Sequence, residues 1–75
     1  MSDEASLLRV LSHGRQLELT DLSRWEIAVG DSTMTIIWTP TARLSVDEVD
    51  DDLYPYTIAN LDTSEPDVVR ARKIR

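Results

Sequence analysis

Apolar and polar residues alternate along most of this chain, and the alternation cuts it into short extended runs. Trp25, Ile27 and Val29 share one parity, with Glu26 and Ala28 on the other, the two-residue period of a strand that buries one face. Met34, Ile36 and Trp38 repeat the pattern, with Ile37 on the opposite face. Between the two runs, Gly30-Asp31-Ser32-Thr33 predicts a hairpin connection, and Pro40, which has no N–H to donate, ends the ladder. This hairpin is the expected centre of the molecule, with both tryptophans in the core.

The rest of the chain adds strands to it. The run Leu7-Leu8-Arg9-Val10-Leu11 is too short for periodicity to separate strand from helix. The turn residues Ser12-His13-Gly14-Arg15 and the clean alternation over residues 16–20, with Leu17 and Leu19 on one face, favour a strand and a hairpin. Asp21-Leu22-Ser23-Arg24 is a further turn. Residues 43–47 alternate again, and residues 53–59 resume extended structure, with Pro55 implying an edge or a strand start. After turn residues at 60–66, the run 67–74 closes the chain, with Val69 and Ala71 on one face and Arg70 and Arg72 on the other. No segment keeps a helical period. The spacing predicts one all-β domain over residues 1–75, a small five- or six-stranded antiparallel barrel with a frayed start at 1–6. Leu17, Leu19, Trp25, Ile27, Val29, Ile36, Trp38, Leu44, Val46, Ile58, Val69 and Ala71 are its expected inward residues.

Composition narrows the chemistry. With 75 residues and no cysteine, the chain has no disulfide, thiolate metal site or cysteine nucleophile, and relies on packing or self-association for stability. Its start is acidic where a targeting peptide is basic, and no apolar run nears the roughly 20 residues that span a bilayer, so the expectation is a cytoplasmic protein without membrane contact. The net charge of −6 repels the phosphate backbone that supplies most non-specific nucleic-acid affinity. Half of the basic residues nevertheless fall in the last six positions, as Arg70, Arg72, Lys73 and Arg75.

The succession of short strands resembles the SH3-like barrel class, which includes the Sm-like proteins. More narrowly, the stretches at 19–27, 38–40 and 54–62 resemble small uncharacterised bacterial proteins, a likeness that implies a fold and no established activity. Gly14, Leu17, Leu19 and Asp21 echo the first motif of RNA-binding Sm-like proteins, but Leu22 stands where that motif has Asn. Val69-Arg70-Ala71-Arg72 stands where the second motif has an Arg-Gly pair. The resemblance therefore implies the architecture without the nucleotide pocket.

Candidate sites are few. Five acids in six positions, Asp47, Glu48, Asp50, Asp51 and Asp52, offer oxygen ligands for Ca²⁺ but lack the spacing, glycine and distal Glu of an EF-hand, and read as a solvated loop. His13 is the only histidine and reads as a surface turn residue. Trp25, Trp38, Tyr54 and Tyr56, with Pro40 and Pro55, have the composition of a groove for proline-rich peptides. The tryptophans fit better as core, and Tyr54 and Tyr56 fit either role. No phosphate loop, nucleophile triad or metal-ligand spacing is present, so neither an enzyme nor a cofactor is expected. The expected function is a non-catalytic protein- or peptide-binding module that forms a homodimer, with Ile37, Tyr54, Pro55, Tyr56, Arg70 and Arg72 as its interaction surface. The alternatives are a nucleic-acid binder using the basic C-terminal strand, disfavoured at physiological salt, and a small hydrolase or metal-dependent enzyme.

Overall fold

The computed structural model describes residues 3–63 and 67–75. Six strands, β1 (Asp3–Leu11), β2 (Gln16–Leu19), β3 (Arg24–Ile27), β4 (Arg43–Glu48), β5 (Tyr56–Asn60) and β6 (Asp67–Lys73), form a closed antiparallel barrel in the order β1-β2-β3-β6-β5-β4. This is the small all-β SH3-like architecture expected. β1-β2-β3 and β4-β5-β6 are each a meander, and they join along two seams, β1 with β4 and β3 with β6. The expected turn at 60–66 lies partly outside the described residues. Among the described residues no helix is long and apolar enough to cross a membrane.

Closure depends on a kink in β1. Its first half pairs with β4, from Asp3 with Val46 to Ser6 with Arg43, and its second half pairs with β2. Between Leu7, opposite Leu19, and Arg9, opposite Glu18, the register slips by one residue, a bulge that bends the strand from one neighbour to the next. The slip also reverses the parity, so that Leu7 is buried on one side of it and Val10 packs on the core from the other. The expected frayed start is corrected for Asp3 to Ser6, which are held in the β1–β4 ladder; Met1 and Ser2 lie outside the described residues.

The central hairpin is also corrected. β3 ends at Ile27, and the edge that a hairpin partner would need is occupied by β6, through Trp25 with Lys73 and Ile27 with Ala71. Residues 34–38 therefore have no ladder to join. Gly30 turns the chain at φ +96°, and α1 (Ser32–Thr35) forms a single helical turn in a connection that crosses the end of the barrel to β4. Val29 is 80% exposed and Ile36 50% exposed, against the expectation that both point inward. Trp38 is buried as expected, but as a plug from this connection, its indole N–H donating to Asp67 at 3.3 Å.

Around the barrel the remaining alternation holds. Leu17, Leu44, Ile58, Val69 and Ala71 are completely buried, with Leu7, Leu19, Trp25, Ile27 and Val46 packed against them. Full burial of a leucine, isoleucine or valine side chain contributes about 1.5–3 kcal/mol. The acidic run is not wholly a loop, since Asp47 and Glu48 complete β4 opposite Thr57 and Tyr56. β5 starts immediately after Pro55.

Candidate functional site

In an antiparallel barrel, alternate strand ends meet at each pole. At one pole the starts of β1, β3 and β5 meet the ends of β2, β4 and β6, and they surround an open concavity of about 600 Å³. Its apolar floor is Ala5, Leu19, Trp25 and Val46; among the described residues its rim carries Asp3, Glu4, Asp21 and Glu48 against a single base, Lys73. Tyr56 forms the wall, edge-on to Trp25 with ring centroids 5.0 Å apart and planes at 82°. Leu22, Val49 and Ile74, each next in sequence to a lining residue, expose large apolar side chains.

The floor is fixed by a short hydrogen-bond relay. The Trp25 indole N–H donates to the Ser23 hydroxyl at 2.9 Å, and that hydroxyl donates to the Asp21 carboxylate at 2.5 Å. The Ser23 backbone N–H donates to the same carboxylate oxygen at 2.9 Å. These two bonds, hydroxyl first, hold the Asp21 carboxyl below its ordinary value of 3.8, and the positive charge of Lys73 adds to the effect. Asp21 therefore stays anionic at neutral pH, and Trp25 keeps one orientation. Lys73, paired in register with Trp25, places its ammonium 5.9 Å from the indole centroid.

Charge is arranged differently on the outer wall. Arg9 and Arg24 both reach Glu18, at 2.9 and 3.5 Å; Arg43 reaches Asp62 at 3.1 Å, Arg70 reaches Asp31 at 3.3 Å, and Arg72 pairs with Glu26. Five of the eight bases are thus matched to acids outside the mouth, while among the described residues the mouth keeps four carboxylates around one lysine.

The predicted interaction residues are dispersed over this surface. Tyr56 lies in the mouth. Tyr54 and Pro55 precede it in the β4–β5 connection, where Tyr54 lies 6.0 Å beneath the Arg70 guanidinium. Arg70 and Arg72 face outward on β6, and Ile37, 74% exposed, lies at the opposite pole. His13 is exposed at that opposite pole too, in the single 3₁₀ turn Ser12–Gly14, away from the acids of the mouth. Among the described residues no three His, Cys, Asp or Glu side chains are grouped to hold a metal ion. Sequence reasoning missed Asp3, Glu4, Asp21, Glu48 and Lys73 as one group. The available signal was the rule that odd strand starts and even strand ends converge.

Compared with protein-family models, with curated proteins and with solved structures, the chain matches none.

Proposed function

We propose that this chain is a non-catalytic protein-interaction module whose acidic mouth receives a basic segment of a partner. The observation that carries the reading is the rim of four carboxylates over the aromatic floor of Trp25 and Tyr56. Carboxylates attract and orient a basic segment, and the aromatic faces take its aliphatic stems and cationic heads. We place the module in the cytoplasm on its lack of cysteine. A nucleic-acid role gains no support from Arg70 and Arg72, whose guanidinium groups are matched by Asp31 and Glu26.

The test is titration with a fluorescent Lys-Ala decapeptide, with a Glu-Ala decapeptide as control. The basic peptide should bind, more weakly as salt rises past the Debye length of about 8 Å at 0.15 M, and the acidic one should not. Glu4→Gln with Glu48→Gln should weaken binding about two- to thirtyfold, the range of two exposed charge pairs. Equal binding of both peptides, or of neither, refutes the reading.

The module also self-associates in this reading. Val29, Ile36 and Ile37 expose large apolar side chains on the connection at the opposite pole, a surface that leaves the mouth open when covered by a second copy. Sedimentation at several concentrations checks it, and a strict 8.5 kDa monomer at high concentration removes it.

A further inference from the structure

Lys73 stands apart from the other bases of its strand. Arg70 and Arg72 turn outward to Asp31 and Glu26, whereas Lys73 reaches over the rim to the face of Trp25. Among the described residues lining the mouth it is the single base, and its charge acts on Asp21. Its position is set by the β3–β6 seam, where it is paired with Trp25 itself. A lysine stem is long and flexible enough to leave such a position and keep its ammonium in water.

Resting on the mouth as a site for basic segments, we propose that Lys73 is a tethered occupant of that site. Its ammonium holds the Trp25 subsite that a lysine of the partner takes, so a basic segment binds by displacing it. The carboxylate rim serves both cations, but only one can lie against the indole. The internal lysine thus lowers the affinity for every basic partner by the free energy of its own contact. An exposed cation–aromatic contact of this kind corresponds to about a two- to fivefold change in affinity.

The experiment repeats the Lys-Ala decapeptide titration on the full chain with Lys73→Met, which keeps an apolar stem and removes the ammonium, and with Lys73→Arg, which restores a cation. Lys73→Met should bind about two- to fivefold more tightly, and Lys73→Arg should bind as the parent does. Removal of a like charge alone would also tighten binding, so displacement is read directly by NMR. The Lys73 side-chain protons, shifted by the Trp25 ring current in the free protein, should move to ordinary lysine positions as peptide is added. Peptide bound by the parent with unmoved Lys73 signals, or with unchanged or weaker affinity in Lys73→Met, overturns the tethered-occupant proposal while leaving the mouth as a site. Failure of both the parent and Lys73→Met to bind peptide overturns the site itself.

Discussion

The two poles of the barrel are built from the same six strands and finished in opposite ways. At the pole opposite the mouth, the connection between β3 and β4 lies across the opening. Trp38 fills it, Thr35 is fully buried with its hydroxyl donating to the Gly14 carbonyl, and Asp31 accepts the Arg70 backbone N–H at 2.9 Å. Gly14 is required there: φ is +89°, and a Cβ would stand 2.8 Å from the Thr35 hydroxyl and inside contact distance of the Ser32 carbonyl. At the mouth the concavity stays open, with Trp25 buried at its floor, Tyr56 half-buried on its wall and four carboxylates around it. The difference teaches where stability resides: one pole is plugged by its own connection, and the other keeps an open, acid-rimmed concavity, where we propose that recognition takes place.

Substitutions should separate the poles. Trp38→Ala should cost about 3–5 kcal/mol through lost burial and the cavity left behind, and Gly14→Ala about 1–3 kcal/mol through left-handed strain and the close contacts. Urea unfolding measures both. Glu4→Gln and Glu48→Gln should each leave stability within about 0.5 kcal/mol while weakening peptide binding. If instead the rim variants destabilise the protein, or Gly14→Ala does not, the division between the poles is broken.

Acid sharpens the same comparison. Besides Asp21, Asp51 is held below the ordinary carboxyl value by the N–H groups of Tyr54 and Leu53, and Asp62 by the Arg43 N–H and guanidinium. Their folded values lie below their unfolded ones, so their stabilisation is complete above the ordinary value of 3.8 and disappears as pH falls through the folded values. Stability should be level from neutral pH to about pH 5 and decline below about pH 4. Asp21→Asn should reduce that decline at the mouth and Asp62→Asn at the plugged pole, each measured by melting temperature against pH. A decline unchanged in both variants would assign it to other groups.

The barrel was legible in the sequence wherever one strand buried one face without interruption, as in Leu17 and Leu19, Leu44 and Val46, or Val69 and Ala71. It became illegible where the chain departs from a uniform ladder. Residues 34–38 carry a strand's alternation, but pairing is a long-range property, and β6 had already taken the edge of β3. The run at 7–11 mixed its parity because the bulge after Leu7 moves the core face by one residue. The mouth left no local pattern: Asp3, Asp21, Glu48 and Lys73 are far apart in sequence and meet only through strand order, whereas the compact acidic run drew attention by its density.

The two seams also differ from the other ladders in how far apart along the chain their partners lie. Each meander is made of neighbours in sequence, but closure waits for Ala5 to find Leu44 and Ile27 to find Ala71, contacts whose loop entropy is spent before they return any stabilisation. The seams should therefore be the last contacts made, after the rate-limiting step, and the first lost. Seam substitutions such as Ala71→Gly would then act mainly on the unfolding limb of a chevron plot, and the lifetime of the native barrel, more than its rate of formation, is what the seams govern.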